Sequence, residues 1–212
     1  MKTNNRNLFI LLSLLLIIDQ ISKFAVKLNM TLGESFSVCG DWFQIYFIEN
    51  PGAAFGMSFG GVAGKIALTL FRFIAISFLI YYITKLTAKE RNIQGRIPKG
   101  VFIALVFITA GAAGNLIDSL FYGEIFSAST TAQLSEFMPA NGGYAPFLQG
   151  KVVDMLYFPI IDTTLPEWMP IWGGEHFLFF SPIFNLADSY ITCAFAYLLL
   201  FQRKFFNKSE VK

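Results

Sequence analysis

Apolar residues run along this chain in four blocks, at about 7–27, 62–84, 100–121 and 182–202, separated by polar or mixed stretches. Each block has the roughly 20 consecutive, mostly apolar residues that a helix needs to cross a bilayer. The expected fold class is an all-α membrane protein with four transmembrane helices, forming a single integral membrane domain over 1–212. The first block opens MKTNNRNLFILLSLLLIIDQISK, with the basic start of a secretory signal peptide. No small-x-small cleavage site follows, and Asp19-Gln20 interrupts the run, so a retained helix is expected.

Two connections break this pattern. The segment at about 28–61 contains DWFQIYFIEN, aromatic and β-branched residues interrupted by Gln44, which predicts a strand. NPGAAFGMSFGG follows and supplies turn and close-approach glycines. The segment at about 122–181 is longer and mixed, with Gly142-Gly143, Pro139, Pro146, Pro166, Pro170, Trp168 and Trp172. A small β-containing portion beside the helices is therefore expected. There is no tandem repeat and no low-complexity tract.

Composition strengthens the membrane reading. The chain is 55% hydrophobic and 14% charged, against about 25% charged residues in soluble domains. The distribution of charge says more than the net +2. Lys2 and Arg6 precede the first block, Lys85, Lys89, Arg91, Arg96 and Lys99 fill the short second connection, and Arg203, Lys204, Lys208 and Lys212 follow the last. With four helices all three clusters fall on one side, so the positive-inside rule puts both termini in the cytoplasm. The segments at 28–61 and 122–181 are then extracytoplasmic. No dense basic stripe interleaved with aromatics points to nucleic acid. Cys39 and Cys193 lack metal-ligand spacing, and Cys193 lies in a membrane block, so no structural disulfide is expected. The lone His176 has no partners for a metal site and is expected at the surface or interface.

Polar residues inside the blocks gather at one depth. Asp19 lies beyond the middle of the first block, with Lys23 at i+4 on the same helix face. Asn115 and Asp118 come roughly 22–27 Å after the third block leaves the cytoplasm near Gly100. Asn185 and Asp188 stand near the start of the fourth, which re-enters from outside. Both Asn-x-x-Asp pairs, in GAAGNLIDS and FNLADS, would put amide and carboxylate one turn apart on one face. Gly111 to Gly114 allow close helix approach. One such pair alone reads as interhelical glue. Two pairs with Asp19 at one depth read as a site. Asp154, in the strand-like GKVVDMLYFP, adds another acid, and Arg72 in the second block is either a snorkelling residue or a partner for one of the acids.

The chain has no Gly-x-Ser-x-Gly elbow, no His-Glu-x-x-His and no phosphate-binding glycine loop. Carboxylates at a membrane edge remain. Two of them held close share a proton, one acting as base on water and the other donating to a substrate carbonyl. That chemistry needs neither metal nor cofactor.

In these residues the chain resembles the bacterial lipoprotein signal peptidases (signal peptidase II), membrane aspartic peptidases that remove signal peptides from diacylglyceryl-modified prolipoproteins. DQISK (19–23), NPGAAFG (50–56), GAAGNLID (111–118), VVD (152–154) and FNLAD (184–188) resemble that family's motifs in order. The resemblance implies a catalytic pair, Asp154 and Asp188. It implies substrate-binding or supporting roles for Asp19, Lys23, Asn50, Gly52, Asn115, Asp118, Asn185 and Ala187. It further implies a bacterial inner-membrane location with the site facing outward, contact with membrane lipid, cleavage before the lipidated cysteine, and sensitivity to globomycin. There are two departures. Ser119 stands where the family usually has Arg, with Arg72 and Lys151 as candidate substitutes, and about 124–149 reads as an insertion, either a lid or partner surface or a tolerated extension. The competing readings are a small ion or proton transporter and a structural membrane subunit.

Overall fold

The protein is described here by a computed structural model, which covers residues 4–51, 61–92, 97–179, 181–203 and 205. The chain opens with α1 (Asn5–Asn29), followed by β1 (Ser35–Cys39), β2 (Phe43–Asn50), α2 (Gly61–Asn92) and α3 (Lys99–Ile117). The helical path of α3 continues through a π-helical turn, Asp118–Tyr122, into the short α4 (Gly123–Ile125). Then come β3 (Val152–Tyr157), β4 (Ile161–Thr164), β5 (His176–Phe179), β6 (Ile183–Phe184) and α5 (Leu186–Phe201).

Three helical stretches, Asn5–Asn29, Gly61–Ala88 and Lys99–Ile125, are long and apolar enough to cross a membrane. The third is the central one: 67% of its most apolar window is buried, against 22% and 17% for the other two. Much of their remaining apolar surface, such as Phe9, Ile17, Phe71, Ile74 and Phe78, is exposed, as for helices whose outer faces meet lipid rather than water. α5 differs from the expected fourth block. It has 16 residues, about 24 Å of helix, because Ile183 and Phe184 are in a strand and Asn185 caps the helix.

The β-containing portion expected beside the helices is present. A four-stranded antiparallel sheet of order β1-β2-β3-β6 stands at one end of the helices, and β4 and β5 form a separate hairpin. DWFQIYFIEN does give a strand, β2, and the VVD motif lies in β3. Pairing of Leu156 with Phe184 and Tyr157 with Ile183 ties β3 to the residues just before α5. Pairing of Asn50 with Val152 and Ile48 with Asp154 ties it to β2. This sheet brings Asp154 beside the N-terminus of α5.

Apolar side chains cluster in two places. One core lies among the helices, around Leu8, Leu15, Phe102, Leu105 and Leu198. The other joins the far end of α1 to the sheet, around Val26, Met30, Phe47, Tyr122, Phe126 and Val153. The stretch at 124–149 begins inside the helical path and is docked, not free. Ser127 and Tyr144 donate backbone hydrogen bonds to Glu136 and Phe126, Ala145 donates to Gly123, and Gly150 donates to Ser119. A Cβ on Gly143 or Gly150 would collide with the backbone oxygens of Gly123 and Asp118 respectively, so this docking needs glycine at both points.

Candidate active site

Along α1 the buried residues run Leu8, Leu15, then Asp19, Lys23, then Val26. The polar pair thus falls in a layer between the two apolar cores, and α3 contributes Asn115 and Asp118 to the same layer. A buried ammonium is tolerable only when its charge and its protons are matched. Lys23 is fully buried and satisfies both conditions: its Nζ reaches Asp19 Oδ2 at 2.9 Å, Asp118 Oδ2 at 2.8 Å and Asn115 Oδ1 at 2.9 Å.

The two carboxylates around Lys23 reach outward to the elements that carry the remaining acids. Asp19 Oδ1 accepts from the backbone N–H of Ala187 at 3.0 Å, fixing the first turn of α5. Asp118 Oδ2 accepts from the backbone N–H of Val153 at 3.4 Å, next to Asp154. Gln20 stitches the group together, donating to Asp19 Oδ2 and Asp118 Oδ1 and accepting from the Tyr122 hydroxyl. α3 can come this close to α5 and α1 because of two glycines. A Cβ on Gly111 would collide with the Ala187 carbonyl, and one on Gly114 with the Asp19 carboxylate.

Asn185 is the hub of the outer part. Its Nδ2 donates to Asp154 Oδ1 at 2.7 Å and to Asn115 Oδ1 at 3.1 Å. Its Oδ1 accepts from the backbone N–H of Asp188 at 2.9 Å, while Asp188 Oδ2 accepts from the backbone N–H of Asn185 at 3.4 Å. The pair forms a capping box, so Asn185 stands just before the helix and caps it instead of sharing a helical face with Asp188 as the spacing implied. Asn115 Nδ2 donates to Asp188 Oδ1 at 2.8 Å, and Asn50 Nδ2 to Asp154 Oδ2 at 3.2 Å. Among the described residues no cluster of His, Cys, Asp or Glu could hold a metal ion.

The two outer acids have unlike surroundings. Asp154 is 2% exposed, and burial followed by the nearby Asp188 charge pushes its carboxyl up to about 7. Hydrogen bonds from Asn50 and Asn185 oppose that rise without cancelling it. Asp188 is half-buried and lies in the first turn of α5, where the helix dipole favours negative charge. One acid thus keeps its proton well above the ordinary carboxylate range beside a second acid at a helix N-terminus, the arrangement that separates acid from base.

Of the residues singled out in the sequence, Asp19, Lys23, Asn50, Asn115, Asp118, Asp154, Asn185, Ala187 and Asp188 meet in this one network. Gly52 and the rest of NPGAAFG beyond Pro51 lie outside the described residues. Ala187 enters through its backbone N–H, which no side-chain pattern reveals. Gln20 and Tyr122 were missed; for Gln20 the signal was its place inside DQISK. Lys151 is taken up by Glu49 at 2.9 Å, whereas Arg72 Nη1 donates to Ser119 Oγ at 3.1 Å. Glu49 also pairs with the fully buried Lys27 and accepts from Ser129 Oγ at 2.8 Å. Burial would raise Glu49, but Lys27, Lys151 and Ser129 outweigh it and hold the carboxyl below its ordinary range.

Known proteins with the same pattern are available for comparison. Residues 11–204 match the family model described as signal peptidase (SPase) II. A lipoprotein signal peptidase of Porphyromonas gingivalis is 46% identical over 190 residues, spanning 90% of this chain and 80% of that protein. One from Amoebophilus asiaticus is 38% identical over 193 residues, covering 90% and 75%. Two solved structures of bacterial membrane enzymes share the fold. One has a TM-score of 0.60 at 23% identity over all of this chain and 94% of that one. The other has a TM-score of 0.58 at 22% identity, covering 96% of each.

Proposed function

The chain belongs to the signal peptidase II family, and from that footing we propose that it removes signal peptides from prolipoproteins as an aspartic endopeptidase with Asp154 and Asp188 as its catalytic pair. The observation that carries this reading is the Asn185 hub, which joins a buried Asp154, its carboxyl pushed up to about 7, to a half-buried Asp188 on another element.

Asp188 takes a proton from a water, whose oxygen attacks the carbonyl carbon of the scissile peptide bond. Asp154, protonated, gives its proton to the carbonyl oxygen and leaves a neutral tetrahedral diol. On collapse, Asp188 passes its proton to the departing nitrogen, the carbon–nitrogen bond breaks, and one diol hydroxyl returns its proton to Asp154. Asn115 and the α5 N-terminus hold the negative charge on Asp188 before attack. Asn50 and Asn185 fix the orientation of the Asp154 carboxyl.

The substrate in this reading is a diacylglyceryl-modified prolipoprotein, cut before its lipidated cysteine. The site stands between the helix core and the sheet, where a lipid chain can stay in the bilayer while the peptide bond meets water. α5 serves as the fourth span and the sheet faces outward. A proton-transport reading has less support, because the layer beneath Asp19 is built around apolar residues such as Leu8, Leu15, Leu105 and Leu198.

Cleavage of a purified diacylglyceryl-modified prolipoprotein by the detergent-solubilised protein tests this. Wild type should cut before the modified cysteine in the presence of a metal chelator and should be inhibited by globomycin. Asp154→Asn and Asp188→Asn should each lose at least about a thousandfold in kcat while staying folded. Near-normal turnover by either variant removes that residue from the pair.

A further inference from the structure

Arg72 is a half-buried guanidinium on a membrane-length helix, a position that an ionisable side chain seldom occupies without a task. Among the described residues it has no carboxylate within ion-pair distance, since Lys23 engages Asp19 and Asp118, and Lys27 and Lys151 engage Glu49. Its one hydrogen bond there goes from Nη1 to Ser119 Oγ at 3.1 Å. A guanidinium carries five N–H donors in a planar fork, so most of this one remains available.

Its place is well fixed. Lys65 and Thr69, on the same face of α2, bond to the backbone oxygens of Gln149 and Leu148, docking the helix on the segment that precedes β3. Ser119 Oγ in turn donates to the carbonyl of Asn115 at 2.9 Å, and the Asn115 side chain holds Asp188. Ser119 and Asn115 thus link the guanidinium to Asp188. Arg72 therefore stands at the rim of the site, aimed by Ser119.

Resting on the peptidase reading, we propose that Arg72 is a substrate-binding residue, whose free N–H groups hold backbone carbonyls of the signal peptide beside the scissile bond while Ser119 holds the guanidinium in place. An anionic ligand would meet the Asp188 charge. A peptide carbonyl offers acceptor lone pairs without a net charge, and the planar fork can take two of them at once.

The test is steady-state cleavage of a diacylglyceryl-modified prolipoprotein by full-length wild type, Arg72→Gln, Arg72→Lys, Ser119→Ala and Arg72→Gln/Ser119→Arg. Loss of charged hydrogen bonds to bound peptide should raise KM at least about tenfold in Arg72→Gln, with kcat within about twofold. Arg72→Lys keeps the charge but cannot span Ser119 and substrate, so its KM should rise several-fold. Ser119→Ala, which frees the guanidinium, should raise KM by a smaller factor. The double variant should regain much of the lost affinity, because Ser119 lies within hydrogen-bond reach of the same position. Wild-type KM in Arg72→Gln, or a fall in kcat at unchanged KM, overturns the proposal while leaving the peptidase reading intact. If Arg72→Gln does not fold, wild-type KM in both Arg72→Lys and Ser119→Ala overturns it. A well-folded wild type that does not cut overturns both readings.

Discussion

Asp154 and Asp188 are the same functional group in different solvents, and that difference governs how the protein should respond to pH. Asp154 is buried among Val152, Val153 and Met155, and its carboxyl titrates near 7 instead of the ordinary 3.8. The folded state thus prefers the protonated acid. That preference is fully present below about 4 and is lost as pH rises through about 7. The melting temperature of wild type should therefore fall between about pH 4 and 7 more steeply than that of Asp154→Asn, which has no proton to lose there. Parallel curves measured by thermal unfolding in detergent would mean that Asp154 is already ionised in the fold. A second outcome concerns Lys23, whose three hydrogen-bond and ion-pair partners all lie in the buried layer. Lys23→Met should destabilise the fold by about 3–5 kcal/mol, because Asp19 and Asp118 would be left together without a cation. Unchanged denaturation would show that the layer holds without it. At this scale much of the site was legible in the sequence, since acids and amides in apolar blocks are conspicuous and their depth follows from helix rise. What escaped were contacts made through backbone atoms, such as Ala187 N–H, and the assignment of Arg72 to Ser119, which depends on how two helices face each other.

The elements carry this chemistry only if they approach closely, and the closest approach is between α3 and α5. Gly111 meets the Ala187 carbonyl and Gly114 the Asp19 carboxylate, so the glycines set both the helix spacing and the position of the α5 N-terminus. Gly111→Val should cost about 1–3 kcal/mol of stability by overpacking. Activity should drop more than stability does, since moving Ala187 away from Asp19 also moves Asp188. A variant that unfolds at the wild-type denaturant concentration and cleaves at the wild-type rate would show that the contact is not needed. The small residues were visible as a run in GAAGN, and so was the strand nature of β2 and β3, because alternation and β-branching are local signals. The start of α5 was not. An apolar strand running into an apolar helix has no change of composition at the join, and the capping box Asn185–Asp188 looks the same in sequence as a mid-helix pair.

Over the whole molecule, two apolar cores with a polar layer between them make a protein with distinct ends, and the 124–149 segment belongs to one of them. Lys27 of α1, Glu49 of β2 and Ser129 of the 124–149 segment form a second buried polar group, with Lys151 before β3 joining it from the exposed side. Together with the ring contacts of Phe24, Tyr122, Phe126 and Phe137, it clamps the 124–149 segment to the sheet end. The sequence flagged the extra length, but its docking rests on pairings more than 75 residues apart, which no local pattern encodes. Which end faces outward follows in our reading from the described basic residues at the other end, Lys85, Lys99 and Arg203. The native cysteines can test it. Cys39 is exposed on β1 at the sheet end, while Cys193 is exposed on the apolar face of α5, where lipid would shield it. A membrane-impermeant maleimide added to spheroplasts should label Cys39 and not Cys193, and labelling should vanish in Cys39→Ser. Lys85→Cys in that background should react only after lysis, because it lies at the basic end of α2. The opposite pattern would turn the molecule over, placing the sheet, and with it Asp154, on the cytoplasmic side where a prolipoprotein still carries its basic N-terminus rather than its cleavage site.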